Sequence, residues 1–302
     1  MGRKGQAIDG VLLLDKPRDI TSNGALQSAR RLLGAAKAGH TGTLDPMATG
    51  LLPLCFGEAT KFSSLLLDAS KVYRARITFG IATATGDVQG EVLQRTDIGA
   101  LESVQIVRVL EGLIGEQEQV PPMYSALKHA GRPLYEYARA GQQIERASRR
   151  IQVYSLEISS VERTDAEIRI EVSKGTYIRS LAEEVGLRLG VGAHLSALRR
   201  EGVAGFRVEQ AVTLDRLAES PPEQRRSWLL PTDALLAGLP RIDLDETRSR
   251  KLRQGGAVAV KAPGELVRLY DPSGSFIGVG RAAGEGVVAP QRLLQTTCAK
   301  AS

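Results

Sequence analysis

Hydrophobic and polar residues alternate one by one through the segment KVYRARITFG, which starts at Lys71. The residues of its apolar face are Tyr73, Ala75, Ile77 and Phe79. Because successive side chains of a strand point to opposite faces of a sheet, this pattern predicts a half-buried strand. The same pattern in RRIQVYSLEISSV and AEIRIEVSKGTYI, and the apolar run VLLLDKP, predict three more strands.

Other segments have the spacing of about 3.6 residues that is typical of helices. They are SNGALQSARRLLG, GEATKFSSLLLDAS, ALESVQIVRVLEGLIG, RPLYEYARAG and the stretch from Ile178 to Leu189. Thr21 or Ser22 is placed to cap the first of these helices, and Gly34 is placed to end it.

Strands and helices are mixed along the chain without a regular strand–helix–strand repeat or a dinucleotide fingerprint. This order predicts an α+β fold, in which helices flank a mixed, largely antiparallel sheet. Beyond Pro240 the texture changes to short β-like runs separated by Gly, Pro and Ser turns, namely GAVAV, ELVRLYD and SFIGVGRA. We therefore predict two domains, residues 1–238 and a small β barrel or sandwich over residues 239–302.

The composition is that of an ordinary folded protein, since 42% of the 302 residues are hydrophobic and 25% are charged. The apolar run near the N-terminus is too short for a signal peptide, and no stretch approaches the length of a membrane span. We therefore expect a cytoplasmic protein. Cys55 and Cys298 match no metal or redox motif, which indicates two free thiols, with Cys55 buried.

The charge of the chain is positive and unevenly distributed. There are 40 basic and 34 acidic residues, and the segment 241–302 contains ten basic and six acidic ones. A basic protein with a basic tail is typical of proteins that bind a polyanion, although many basic proteins bind no nucleic acid.

One irregular segment, AGHTGTLDPMATGLLPL, surrounds a single carboxylate, Asp45, with glycines, threonines and a proline. Gly42 and Gly50 permit positive φ or close backbone approach, and Pro46 fixes φ directly after the acid. Irregular backbone of this kind can present a reactive carboxylate in one rotamer. The spacing also fits an alternative, in which Asp45 caps a following helix with Pro46 at its first position.

Motifs for common cofactors are missing from the sequence. No Gly-Lys-Ser/Thr ending follows the glycines, which argues against a phosphate-binding loop of the Walker type. His40, His129 and His194 have neither HxxxH spacing nor a neighbouring cysteine cluster. We expect no cofactor and no metal.

The string GHTGTLDPMATGLLPLCFGEATK is similar to the signature of the pseudouridine synthases of the TruB type. Other motifs stand in the family's order: LLLDKPRDITSN, KVYRARITFG, QVPPMYSALKHAGRPLYEYARAG, SKGTYIRSLAEEVG and GAHLSALRR. The resemblance covers Val11 to about Arg200, and the tail resembles a PUA domain, a small RNA-binding β barrel. It implies isomerisation of the uridine at position 55 of the tRNA T-loop, without cofactor or metal, by an enzyme that we expect to be a monomer.

The resemblance also implies roles for three catalytic residues. Asp45 corresponds to the family's nucleophile, and carboxylates do serve as covalent catalysts in glycosidic chemistry. Tyr73 corresponds to the residue that stacks on the flipped base and takes the C5 proton. Arg179 corresponds to the ion-pair partner that keeps the aspartate ionised and aims its oxygens. By pattern alone, Tyr73 would be a core tyrosine and Arg179 a surface residue.

Four more positions match RNA-binding or pocket positions of the family. Tyr177 and Leu198 correspond to residues that line the uridine pocket, and His40 to one that fills the RNA loop once bases are extruded. Lys16 of the DKP motif is expected beside the site, where it either shapes the wall or contacts RNA. The chain departs from the family at Ala84, where many relatives have an aspartate.

Two rival functions belong to other classes. The chain could serve mainly as an RNA-binding helper of tRNA folding, for which the basic tail would suffice. A glycosidase is disfavoured because no second acid has a comparable setting and Trp228 is the single tryptophan. The sequence leaves open whether Asp45 attacks C1′ or C6 of the nucleotide or acts through a glycal.

Overall fold

A computed structural model describes residues 5–295 of the chain. Cys298, which we expect to be a free thiol, lies outside the described residues. The strands of the first 238 residues are β1 Gly10–Lys16, β2 Ala38–His40, β3 Thr49–Phe56, β4 Lys71–Phe79, β5 Ile81–Thr83, β6 Val92–Arg95, β7 Gly115–Gln119, β8 Lys128–His129, β9 Arg132–Pro133, β10 Arg149–Val161, β11 Asp165–Val172, β12 Ala193–Val203, β13 Phe206–Arg207, β14 Val212–Thr213 and β15 Leu229–Leu230.

The main sheet of the described residues has the strand order β14-β1-β3-β12-β4-β11-β10-β7, with β2, β13 and β15 paired at its side. Two pairs, β1 with β14 and β12 with β3, are parallel, and the other pairs are antiparallel. The predicted α+β class and the mixed, largely antiparallel sheet are therefore confirmed.

Strand β4 lies at the centre of this sheet between β12 and β11, and its alternation was read correctly from the sequence. Tyr73, Ala75, Ile77 and Phe79 are buried. The opposite face of the strand carries Arg74, which pairs with Glu201 at 2.8 Å near the surface. A central strand with one polar face shows that helices cover only one side of the sheet here.

The helices are α1 Ser22–Leu33, α2 Ser63–Leu67, α3 Ser103–Glu111, α4 Leu134–Arg139, α5 Ile178–Arg188, α6 Leu214–Glu219 and α7 Glu246–Arg253. As predicted, Thr21 caps α1 through its side chain, and Gly34 ends it in the left-handed conformation. The long helix predicted over GEATKFSSLLLDAS is wrong, because a 3-10 helix over Gly57–Phe62 precedes the short α2. None of the helices in residues 5–295 is long and apolar enough to cross a membrane.

The main core lies between the apolar face of the sheet and helices α1, α3 and α5. Its members include Leu26 of α1, Ile106 of α3 and Val185 of α5, all buried. Helix α5 packs directly on β12, the neighbour of β4. This packing places the start of α5 beside the centre of the sheet.

The C-terminal region forms a separate sheet with the strands β16 Arg241–Asp243, β17 Val258–Ala259, β18 Leu266–Tyr270, β19 Phe276–Ala282 and β20 Val287–Leu293. Its order is β16-β18-β19-β20-β17, so the two end strands are not paired with each other. The small C-terminal β structure that the sequence predicts is thus, among the described residues, a curled half-barrel of five strands. The short β-like runs of this region did not predict helix α7, which is capped at its N-terminus by Asp245.

The two sheets contact each other through a small apolar cluster. The rings of Phe62 and Phe276 meet edge to face at 5.5 Å, and Lys61 Nζ donates to the carbonyl of Leu293 at 3.0 Å. The second sheet begins at Arg241. The division into residues 1–238 and 239–302 stays a prediction.

Candidate active site

Asp45 lies in the connection between β2 and β3, at the middle of the main sheet. The Ala48 amide donates to the Asp45 carbonyl at 3.1 Å, and β3 begins at Thr49. A tight turn therefore follows the acid, and the alternative in which Asp45 caps a helix is wrong.

Side chains from the N-terminal segment hold this connection in place. The Ser22 hydroxyl donates to the Leu44 carbonyl at 3.0 Å and accepts from its amide at 2.8 Å. Lys16 Nζ donates to the carbonyls of Pro17, Ile20 and Pro46 at 2.7, 2.7 and 3.3 Å. The backbone on both sides of Asp45 is thereby fixed before any ligand arrives.

The two glycines of the connection have the positive φ that the sequence predicts, 139° at Gly42 and 101° at Gly50. A Cβ at Gly50 would lie 2.3 Å from the Arg200 carbonyl oxygen, so the backbones of β3 and β12 approach too closely for any side chain. The Arg200 guanidinium in turn donates to the carbonyl of Leu51 at 2.7 Å and to that of Gly42 at 3.3 Å.

Arg179 binds the carboxylate of Asp45 with two hydrogen bonds. Its Nε lies 2.9 Å from Oδ2 and its Nη2 lies 3.1 Å from Oδ1. The arginine side chain is 3% exposed, whereas that of Asp45 is 30% exposed. The bidentate contact therefore aims a carboxylate that can still be reached from outside.

Three further groups fix the guanidinium of Arg179. It donates to the carbonyls of Thr85 and Tyr124, each at 2.7 Å, and its Nε lies 3.7 Å from Oδ2 of Asp87. The Asp87 side chain is 7% exposed and accepts from the Thr85 hydroxyl at 2.6 Å. Asp87 belongs to the family pattern around Ala84, which is otherwise intact at Thr83, Thr85 and Gly90, but the sequence alone assigns it no role.

Ala84, the departure from the family pattern, lies in the same turn. Its amide donates to the Glu91 carbonyl at 2.9 Å, which closes the base of the turn. The backbone of the turn still supplies the Thr85 carbonyl to Arg179, so the alanine leaves this arrangement intact.

A cavity of about 520 Å³ opens above Asp45. Tyr73, Tyr177 and Leu198, three residues expected at the base-binding pocket, all line it, together with Lys71 and Arg200. Tyr73 is 8% exposed and Leu198 7% exposed. The structure thus brings an aromatic ring and an aliphatic side chain to the same space as the carboxylate.

Tyr177 is positioned by contacts that sequence reasoning missed. Both its amide and its carbonyl bond to the side chain of Gln119, at 2.8 and 3.0 Å. The guanidinium of Arg149 stacks over its ring at 5.0 Å from the centroid. Because Gln119 is 58 positions away in the chain, no local pattern could have revealed this contact.

Two further residues that match family positions, Lys16 and His40, do not line the cavity. Lys16 is fully buried, which favours the alternative in which it shapes the wall, and burial is the main cause that lowers its pKa to about 8. His40 is half-buried and its Nδ1 accepts from the Gly42 amide at 3.4 Å. Burial and the nearby Arg200 lower the pKa of His40, which favours the neutral form of its ring.

Within residues 5–295, no cluster of three or more His, Cys, Asp or Glu side chains is arranged to hold a metal ion. What the arrangement offers is a carboxylate nucleophile or base, a guanidinium behind it and a tyrosine beside it.

Solved structures with the same fold bind RNA and protein partners. A chain in the crystal structure of a Cbf5-Nop10-Gar1 complex matches with a TM-score of 0.72 and 28% identity, over 95% of this chain and 84% of that one. A chain in the structure of an H/ACA ribonucleoprotein bound to a substrate RNA that contains 2′-deoxyuridine matches with a TM-score of 0.71 and 25% identity, over 95% and 85%. The architecture is the pseudouridine synthase fold.

Family models match nearly the whole chain. The model "TruB family pseudouridylate synthase (N terminal domain)" matches residues 30–178, "tRNA pseudouridylate synthase B C-terminal domain" matches 179–237, and "Pseudouridine synthase II TruB, C-terminal" matches 240–294. The chain belongs to the TruB family of pseudouridylate synthases.

Curated relatives agree with this assignment over almost their full length. A protein of Aromatoleum aromaticum called tRNA pseudouridine synthase B is 53% identical over 290 residues, which are 96% of this chain and 94% of that one. A protein of the same name from Thiobacillus denitrificans is 53% identical over 292 residues, with 96% and 97% covered.

Proposed function

We propose that this chain is a tRNA pseudouridine synthase that isomerises the uridine at position 55 of the T-loop. The relatives' names and the family models support a pseudouridine-forming enzyme that acts on tRNA. The single observation that carries the proposal is the Asp45–Arg179 pair at the floor of a cavity lined by Tyr73.

The target base must leave the stacked RNA loop to reach Asp45. The cavity volume of about 520 Å³ lies within the range of sites that enclose a small molecule. Enzymes that act on a base commonly extrude it and stack it against aromatic or apolar side chains. In this chain Tyr73, Tyr177 and Leu198 supply those surfaces.

The reaction moves one bond and exchanges one proton. The N1–C1′ bond breaks with Asp45 as the nucleophile, and the bonding pair stays with the uracil. The uracil rotates, its C5 joins C1′ and the carboxylate is released. The proton on C5 passes to the phenolic oxygen of Tyr73 as the hydroxyl proton leaves to solvent, and N1 takes up a proton from solvent, so the product is an isomer of the substrate.

Arg179 contributes by holding the nucleophile. Two hydrogen bonds fix the plane of the carboxylate, and the two carbonyls and Asp87 fix the guanidinium. Such preorganisation avoids rearrangement of the site at the moment of reaction. His40, at the end of β2, is proposed to fill the space that the extruded bases leave in the RNA loop.

The C-terminal half-barrel is proposed to hold tRNA through its phosphates, because ten of the residues in 241–302 are basic. The proposal takes the enzyme to act as a monomer in the cytoplasm, without cofactor or metal.

The decisive experiment is tritium release from a tRNA transcript labelled at C5 of uridine, followed by mapping of the modified position. The wild-type chain should release tritium from one T-loop uridine, and Asp45→Asn should release none while it still binds tRNA. Asp19→Asn is the matched control, since this aspartate is 70% exposed and lies beside the same connection.

Substantial turnover by Asp45→Asn would contradict the assignment of the nucleophile. The rival function, a tRNA-folding helper, predicts that Asp45→Asn fully rescues a strain that lacks the enzyme. If the wild type releases tritium and Asp45→Asn fails to rescue the strain, assistance of tRNA folding is excluded as the main role.

A further inference from the structure

The wall of the catalytic cavity contains two buried cations. Lys71 is 8% exposed and Arg200 is 1% exposed, and both line the cavity together with Asp45. Among residues 5–295 neither forms an ion pair; Asp45 is paired with Arg179, and Asp68 with Lys174. Buried charges in proteins are ordinarily paired. The cavity therefore has positive charge that the protein itself does not neutralise.

Lys71 keeps one donor for a ligand. It begins β4, two residues before Tyr73, so the two side chains share a face of the sheet. Its Nζ donates to the carbonyls of Leu67 and Ala69 at 2.9 and 2.6 Å. An ammonium group has three N–H bonds, and two of them are thereby used.

Arg200 cannot move away from this wall. It donates to the carbonyls of Leu51, Gly42 and Thr43 at 2.7, 3.3 and 3.5 Å. Burial first, and then the nearby Arg200, lower the pKa of Lys71 to about 8. The amine is therefore still mostly protonated at pH 7, and the local charge persists.

An incoming nucleotide offers negative charge from two sources. Its phosphodiester is always anionic, and its uracil becomes anionic when the N1–C1′ bonding pair leaves with the base. Either would present an oxygen to an N–H donor in a site shielded from water, where such contacts are strong.

We propose that Lys71, backed by Arg200, forms an anion subsite in the wall of the catalytic cavity that binds an anionic oxygen of the target nucleotide. The proposal rests on the proposed function, because that function supplies the nucleotide. The phosphodiester is the expected source, since Lys71 lies one repeat of the strand, about 7 Å, from the tyrosine on which the base stacks.

The first test separates binding from chemistry in Lys71→Met, Lys71→Arg and the wild type. The dissociation constant for tRNA is measured in an Asp45→Asn background, and the single-turnover rate of pseudouridine formation is measured at saturating tRNA. Lys71→Met should weaken tRNA binding about tenfold. The slope of log affinity against log salt should decrease by the amount that about one phosphate contact contributes. The single-turnover rate should be unchanged. Lys71→Arg should restore binding.

Lys174→Met is the matched control for loss of a nearby charge. Lys174 is 61% exposed and already paired with Asp68, so its variant should bind tRNA within twofold of the wild type. Equal losses in Lys174→Met and Lys71→Met would indicate a general charge effect and overturn the subsite.

The second test changes the substrate, and its first measurement needs only the wild type. A methylphosphonate replaces, in turn, each phosphodiester that flanks the target uridine and removes its charge. One of these replacements should weaken tRNA binding by the wild type about tenfold, which is the loss expected for Lys71→Met. The same replacement should not weaken tRNA binding by Lys71→Met any further.

The outcomes are distinct. If Lys71→Met loses about 100-fold in rate with unchanged binding, and Lys71→Arg restores that rate, the anion is the uracil.

The subsite is overturned if Lys71→Met stays within twofold of the wild type in both measurements. It is also overturned if Lys71→Arg is as impaired as Lys71→Met, which would mean that Lys71 only caps the Leu67 and Ala69 carbonyls. If Lys71→Met does not fold and neither methylphosphonate matters, the phosphodiester subsite is also overturned. A wild type that makes no pseudouridine would contradict the proposed function instead.

Discussion

At the scale of single residues, the site depends on how one guanidinium is shared. Arg179 contacts Asp45 through two hydrogen bonds and Asp87 at a longer distance. The Asp87 carboxylate accepts a hydrogen bond from the Thr85 hydroxyl, and it restricts the position of the Arg179 guanidinium. We therefore expect Asp87 to be a positioning residue, which acts on the substrate through Arg179 and Asp45.

Asp87→Asn should lower the single-turnover rate because the guanidinium loses a charged anchor and Asp45 is aimed less accurately. Misplacement of a catalytic group by about 1 Å can cost on the order of 100-fold in rate, and we expect a loss of that size with tRNA affinity unchanged. The rate is measured by tritium release at saturating tRNA. Asp97→Asn, a change in an exposed loop, is the control; equal activity of both variants would contradict the role of Asp87.

Cys55 provides a residue-scale prediction that does not involve the RNA. It is fully buried, and burial raises the pKa of its thiol to about 12. Because the thiolate is the reactive form, the native protein should not be labelled at Cys55 by a thiol reagent at pH 8. The measurement uses Cys298→Ser, before and after denaturation; rapid labelling of the native variant would show that the region opens.

At the scale of elements, most strands and helices follow from local patterns. Alternation located β4, β10 and β11, and helical spacing with a threonine cap and a glycine stop located α1. The long helix predicted after Phe56 is in fact a 3-10 helix and a short α-helix. The 3-10 helix contacts β1, β2 and β3, and its Phe62 packs on Phe276 and Val279 of the C-terminal sheet, so tertiary contacts override the helical spacing there.

The connection that carries Asp45 depends on Gly50. Gly50→Ala would combine a φ of 101° with a Cβ only 2.3 Å from the Arg200 carbonyl oxygen. Strained backbone of this kind costs about 1 to 3 kcal/mol, and the clash adds to it, so we expect a loss of at least that size in unfolding free energy, with lower activity.

Gly34→Ala is the matched control, because Gly34 also has positive φ, 68°, but nothing lies within 4 Å of its Cβ position. This variant should lose only about 1 kcal/mol. Chemical denaturation of both variants provides the comparison, and similar losses would show that the approach of β3 to β12 is unimportant.

At the scale of the whole molecule, charge governs the encounter with RNA. The chain has a formal net charge of +6, and part of that excess lies in residues 241–302. Phosphate contacts release counterions, so affinity for a polyanion falls with salt.

If the protein neutralises about three phosphates, the affinity for tRNA should fall roughly 20- to 40-fold between 50 and 200 mM salt. A filter-binding or fluorescence titration with Asp45→Asn measures this slope without turnover. A flat response would argue against phosphate contacts as the main source of affinity, and with it against a phosphate-gripping tail.

The sequence by itself determined the α+β class, the ends of α1, the inward face of β4 and the irregular presentation of Asp45. These depend on side-chain period, caps and backbone preferences, which act over a few neighbouring residues. The family motifs added the expected pair of Asp45 and Arg179.

Only the tertiary structure decided how deeply that pair is embedded. By pattern alone Arg179 would be a surface arginine, yet it is 2% exposed, because α5 packs on β12 and brings it to a residue 134 positions away. The same holds for Asp87, for Gln119 beneath Tyr177, and for the open edge of the C-terminal sheet. Strand order and close packing join residues that are distant in sequence, so no local pattern contains that information.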